Sequence, residues 1–234
     1  VSIELDGVSV TIGGRRVLQG LTVRLDERRV GVVGANGSGK STFARLLNGL
    51  VLPSEGRVRV DALDTRTDGA AVRRRVGFVF TNPDAQIVMP TVAEDVALSL
   101  RATERRPAPR AAAITAALER FGLADLADRP AARLSSGQKQ LLALASVLVT
   151  EPDVLVCDEP TTMLDLVHTR RIRDVLAALP QRLVLVSHAL DAFDGFDRVL
   201  VLHEGRLVAD DAPGPAVAAY RTLVDRLVET VDGR

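Results

Sequence analysis

Two short runs in the 234-residue sequence hold residue types whose spacing suits phosphate chemistry. The first is Gly34-Ala35-Asn36-Gly37-Ser38-Gly39-Lys40-Ser41, followed by Thr42. Its glycines allow backbone N–H groups to turn inward around phosphate oxygens. Lys40 offers a compact charge to the β- and γ-phosphates of a nucleoside triphosphate, and the Ser41 hydroxyl suits Mg²⁺. The candidate nucleotide-phosphate contacts are therefore Gly34, Asn36, Gly37, Ser38, Gly39, Lys40, Ser41 and Thr42. A Gly/Ser-rich loop can match such a spacing by chance. Here an apolar run at 30–33 precedes the loop and a helical pattern at 41–50 follows it. That is the strand–loop–helix context the motif requires, and the helix adds the positive end of its dipole.

The second run is Asp158-Glu159, which ends the apolar segment 154–157. Asp158 is placed to hold Mg²⁺, directly or through water, and Glu159 to take a proton from an attacking water. Two acids after a strand can also be a plain solvent contact. Beside an intact phosphate loop, the catalytic reading is the stronger one. Cys157, just before them, reads as core packing. All but two of the 30 basic residues are arginine; the exceptions are Lys40 and Lys139. A lysine kept in such a chain marks a site that wants a point charge on a flexible stem. That argument fits Lys40, whereas Lys139 reads as a surface helix residue.

The elements that must position these groups follow from periodicity. Residues 3–5 and 21–25 alternate as half-buried antiparallel strands do. Further strands are expected at 58–60, 76–80, 154–157, 183–186 and 199–202. Helices are expected at 91–126 with a break at Pro107 and Pro109, and at 136–150, 166–179, 189–193 and 216–231. Strands and helices that alternate in this way build a mainly parallel sheet covered by helices. The expectation is one α/β domain over 1–234, with N-terminal antiparallel strands, a helical lobe at about 84–150 and a closing helix at 213–234. Glu204-Gly205-Arg206 reads as a hairpin turn.

A phosphate loop alone does not separate transport ATPases from kinases. Leu134-Ser135-Ser136-Gly137-Gln138, opening the helix at 136, does so. It resembles the LSGGQ signature of ABC ATPases, although Ser136 stands where the family has its first glycine. The resemblance implies a P-loop ABC ATPase fold that binds ATP and Mg²⁺. It also implies that Ser135 and Gly137 face the γ-phosphate held by a second ATPase subunit. Residues 160–165 look like the family's D-loop, whose Asp165 links the two sites. Ser187-His188 looks like its switch, so His188 joins Lys40 and Glu159 as a catalytic candidate. Two positions depart from the pattern. Ile12 stands where an aromatic residue stacks on adenine, leaving only apolar contact. Thr81 stands where a glutamine meets the metal, leaving a shorter oxygen ligand.

Residues 82–96, Asn82-Pro83-Asp84-Ala85-Gln86-Ile87 and onward, resemble the segment of energy-coupling-factor transporters that receives coupling helices. The resemblance implies a transmembrane coupling subunit and a substrate-binding membrane subunit as partners. Asp84 and Gln86 become candidate contacts for an arginine on those helices. It further implies a peripheral place on the cytoplasmic face of the membrane and a vitamin or metal cargo, with biotin favoured. Zero formal net charge gives no global field for nucleic acid. With 47% hydrophobic and 26% charged residues the chain is globular rather than disordered. One cysteine excludes an internal disulfide framework. No apolar run is long enough to span a bilayer. Competing readings are a soluble ABC ATPase acting on ribosomes or DNA, and a regulatory subunit with weak hydrolysis.

Overall fold

Alternation within the central strands decides the layers. Along Val154–Asp158, Val154 and Val156 join one apolar cluster while Leu155 and Cys157 join the other. A strand buried on both faces reads as a continuous apolar run, as a parallel strand between two layers must. A computed structural model describes residues 1–101 and 107–231. It begins with β1 (Ile3–Ile12), β2 (Arg15–Leu25), β3 (Arg29–Val33), α1 (Lys40–Leu47), β4 (Glu55–Val60), β5 (Leu63–Asp64) and α2 (Gly69–Arg75). There follow β6 (Val76–Val79), α3 (Val92–Leu100), α4 (Pro107–Phe121) and α5 (Ser136–Leu148). The chain closes with β7 (Val154–Asp158), α6 (Leu166–Ala177), β8 (Arg182–Val186), β9 (Arg198–His203), β10 (Arg206–Asp211) and α7 (Pro213–Val231).

The main sheet has the order β10-β9-β3-β8-β7-β6, with only β10 antiparallel. An antiparallel sheet, β2-β1-β4-β5, covers one face together with α1. Helices α3 to α7 contribute to the apolar cluster on the other face. This is the expected arrangement of a mainly parallel core sheet, N-terminal antiparallel strands and a helical layer. The consequence for function lies in the order β3-β8-β7. Three parallel neighbours end side by side at Val33, Val186 and Asp158. Chemistry in α/β sheets gathers at such carboxyl ends.

Several bounds differ from the sequence expectation, each for a local reason. Helix α1 stops at Leu47 rather than running to residue 50, because Gly49 turns left-handed at φ 71°. Strand β1 runs on to Ile12 across irregular register at Gly7, where φ is 58°. The stretch 91–126 divides into α3, α4 and a short turn, and residues 102–106 lie outside the described set. Pro107 and Pro109 sit in the first turn of α4, where no helical N–H is lost. Residues 189–193 form a short 3₁₀ turn, Leu190–Phe193, rather than a helix. Strand β5 and helix α2 were not expected, and β10 is the return strand of the hairpin turn read at 204–206. Positive φ at Glu204 and Gly205 lets β9 fold back into β10. The closing helix starts at Pro213 as expected, and residues 232–234 of that expectation lie outside the described set. Among the described residues no helix is long and apolar enough to cross a membrane.

Candidate nucleotide site

Strand β3 is buried along its whole length and delivers the chain to Gly34. A side chain at Gly34 would run into the Leu202 carbonyl and lie 2.6 Å from Ser38 Oγ. The turn therefore needs glycine for close approach. Helix α1 starts at Lys40 behind a left-handed Gly39, φ 100°, with no side chain capping it. Its first N–H groups thus stay open for an anion. The Lys40 ammonium donates to the carbonyls of Gly34, at 2.9 Å, and Ala35, at 3.0 Å. Burial lowers its pKa, while Glu159 and Asp158 push it back up. Ser38 Oγ is buried and has no hydrogen-bond partner among the described residues. A buried hydroxyl left unpaired costs free energy, and a phosphate oxygen answers that cost.

The acids come from β7. Ser41 Oγ donates to Asp158 Oδ1 at 3.0 Å, joining the first turn of α1 to the end of that strand. Asp158 is 1% exposed, and burial raises its pKa against the pull of Ser41 and Arg45. Arg45 stands 3.9 Å from the other carboxylate oxygen. Thr81 donates its hydroxyl to the Asp158 backbone carbonyl at 2.7 Å. Ser41 and Asp158 are hard oxygen donors side by side. Mg²⁺ needs only one or two such protein ligands beside phosphate oxygens and water, so the donor set fits it.

The register Asp158↔Val186 carries the next residues of β7 and β8 into contact. The Glu159 N–H donates to the Val186 carbonyl at 3.0 Å. One carboxylate oxygen of Glu159 lies 2.9 Å from His188 Nε2, and the other accepts from Thr162 Oγ1 at 2.9 Å. Glu159 holds φ at 51°, a left-handed conformation unusual for its type. Its carboxylate is thus aimed by backbone, histidine and threonine together, which is what a positioned general base requires.

Ser135 and Gly137 open helix α5, as the sequence implied. Ser135 accepts from the Gln138 N–H at 3.2 Å, and Gln138 Oε1 accepts from the Ser135 N–H at 3.0 Å. This reciprocal capping fixes the helix start. Gly137 has a second constraint: a Cβ there would collide with the imidazole of His168. That ring is held by Asp165, which caps α6 by accepting from the His168 N–H and lies 2.8 Å from Nδ1. Both contacts keep the Asp165 carboxyl below its usual range. Among the described residues, no hydrogen bond or ion pair joins Ser135, Gly137 or Asp165 to the Lys40–Asp158–Glu159 group.

Three further candidates have the following surroundings. Ile12 is 52% exposed at the end of the β1–β2 hairpin. Gln86 turns inward: its carbonyl accepts from the Phe80 N–H at 3.2 Å and its amide donates to the Ala143 carbonyl at 3.3 Å. Asp84 is already paired with Lys139, so that lysine is not a bare surface residue. Sequence reasoning missed Arg45, Thr162 and His168. Arg45 had a signal, since it lies one helical turn from Ser41.

The ABC transporter family model matches residues 18–162. A Deinococcus radiodurans protein, provisionally named an ABC transporter ATP-binding protein, is 52% identical over 94% of this chain and 97% of its own. The biotin transport ATP-binding protein BioM of Rhizobium etli is 44% identical over 95% of this chain and 99% of its own. The structure of cbiO1 from Clostridium perfringens, part of the ABC transporter complex cbiONQ, is similar at TM-score 0.81. It is 30% identical and covers 97% of this chain and 94% of its own.

Proposed function

The chain belongs to the ABC transporter family of ATP-binding, ATP-hydrolysing subunits, and from that premise we propose that it is the motor of an energy-coupling-factor importer. In this reading it sits on the cytoplasmic face of a membrane as one half of an ATPase dimer. Its partners are a transmembrane coupling subunit and a substrate-binding membrane subunit, and its cargo is a vitamin or transition metal, biotin first. Relatives named for biotin transport and cobalt import support that branch.

The observation that carries the proposal is the division of the site. Ser41 is bonded to Asp158 and Glu159 meets His188, while Lys40, bonded to the loop carbonyls, lies within the field of both acids. Ser135 and Gly137 start another helix and make no polar bond to that group among the described residues. A second copy or a related ATPase would bring its own signature helix to the first copy's phosphates. Lys40 then offsets the β,γ-phosphate charge, and the open N–H groups of α1 bind phosphate oxygens. Ser41 and Asp158 would hold Mg²⁺, which supplies further neutralisation of phosphate charge when bound. Glu159 accepts the proton of the attacking water, with His188 and Thr162 holding its carboxylate in place.

The test mixes a Lys40→Ala subunit with a Ser135→Arg subunit. Each homodimer should be inactive, while the mixed dimer keeps one intact composite site and regains part of the rate. Full-rate hydrolysis by a monomer sinks the sharing. Co-purification with a membrane protein tests the importer reading, and its failure leaves the ATPase in place.

A further inference from the structure

Beside the phosphate loop lies an open cavity of about 700 Å³. Its lining includes Gly37 and Ser38 of the loop, Arg15 and Val17 of β2, and His203 at the end of β9. It is therefore continuous with the phosphate site and large enough for the base and ribose of a nucleotide. No phenylalanine, tyrosine or tryptophan lines it, and Ile12 is not part of the lining either. Ile12 pairs with Arg15 across the Gly13-Gly14 turn, so the hairpin tip places Arg15 on the cavity beside it.

A purine base gains affinity from a flat partner laid on its face. The planar groups on this wall are the guanidinia of Arg15 and Arg16, the imidazole of His203, and the carboxamides of Asn36 and Gln19, the last bonded to Glu204 and Arg206. Arg16 is engaged with Glu55 at 2.9 Å. Arg15 is exposed and makes no side-chain bond or ion pair among the described residues. A guanidinium is planar and weakly hydrated and can lie flat on an aromatic face, whereas an ammonium brings only its charge.

We propose that Arg15 is the base-stacking residue of the nucleotide site, its guanidinium laid against the adenine ring in place of an aromatic side chain. The proposal rests on the ATP-binding reading and adds the residue that recognises the base. It requires planarity rather than charge, which separates it from simple attraction of phosphates.

The test measures equilibrium affinity of the full chain for ATP and for inorganic tripolyphosphate, both with Mg²⁺. Arg15→Ala should weaken ATP about tenfold, the scale of one lost base stack, and leave tripolyphosphate within about twofold. Arg15→Lys should be as weak as Arg15→Ala, whereas Arg15→Tyr should restore ATP binding. Equal weakening of both probes, rescue by lysine but not tyrosine, or unchanged ATP affinity would each overturn the proposal. Lys40→Ala is the separate control. It should weaken both probes by about 10- to 100-fold, as loss of a charge-assisted bond does. If it does not, the phosphate site itself is misread, whatever Arg15 does.

Discussion

The ammonium of Lys139 lies 2.7 Å from a carboxylate oxygen of Asp84, tying the segment after β6 to the first turns of helix α5. The pair joins the candidate coupling segment to the helix that carries Ser135 and Gly137. One of only two lysines in the chain is spent on it. A partner's arginine arriving at Asp84 would compete with Lys139 for the same carboxylate, so docking would act on the signature helix directly.

Asp84→Arg should therefore weaken assembly with the membrane partner or uptake of cargo, while the isolated subunit binds ATP normally. Asp84 is 62% exposed, and a surface ion pair is worth only about 0–1 kcal/mol. The melting temperature should consequently move by no more than a few degrees. Normal uptake together with lost ATP binding would show that the interface lies elsewhere.

Glu159→Gln should keep ATP affinity and lower kcat by about 10²–10⁴-fold, the usual contribution of a positioned base. Glutamine can still meet His188 and Thr162 but cannot accept the proton. The ATP-bound form should accumulate as a dimer, visible by size-exclusion chromatography with ATP. Near-normal turnover in an assembled complex would remove Glu159 from that role.

The phosphate loop was legible because its information is local. Glycines, a lysine and a serine at fixed offsets between a strand and a helix admit few other structures. His188 was legible as a site residue only through family likeness, and its contact with Glu159 depends on β7 and β8 being neighbours. The inward turn of Gln86 was not legible. Its amide is satisfied by Phe80 and Ala143, and the latter lies on a helix more than fifty residues away in sequence. The early stop of α1 and the irregular register of β1 each had a local signal, in Gly49 and in Gly7. Long-range packing, not residue type, decides the turn of Gln86.

Cys157 offers a check on the sheet itself. It lies on the face of β7 turned to the helical layer, is fully buried, and burial pushes its thiol well above the ordinary range. Alkylation needs the thiolate. The folded chain should therefore resist iodoacetamide at pH 8 and label only as urea unfolds it, with the same midpoint as circular dichroism. Because the fold holds this proton, the unfolded chain gains by releasing it once pH passes the ordinary thiol pKa. Stability from this group is thus present below that pH and is lost above it. Labelling of the native protein at neutral pH would mean that β7 is not a buried strand.

Gly137 and His168 give the last prediction. The imidazole of His168 occupies the space a side chain at residue 137 would need. It is fixed there by Asp165, which also caps α6. The helix bearing Ser135 is thereby packed against α6, which follows residues 160–165. Gly137→Ala should force the ring aside, disturb the Asp165 cap, and lower kcat in the assembled dimer. Losing an N-terminal cap costs about 1 kcal/mol, so most of the chain should stay folded. Removing the obstacle should reverse part of the damage: Gly137→Ala with His168→Ala should turn over faster than Gly137→Ala alone. A glycine needed only for its bare N–H toward phosphate predicts no such rescue. ATP affinity of the isolated subunit should be the same in all these variants, because neither residue touches the Lys40 group. A double variant no better than the single one would assign Gly137 to phosphate contact alone.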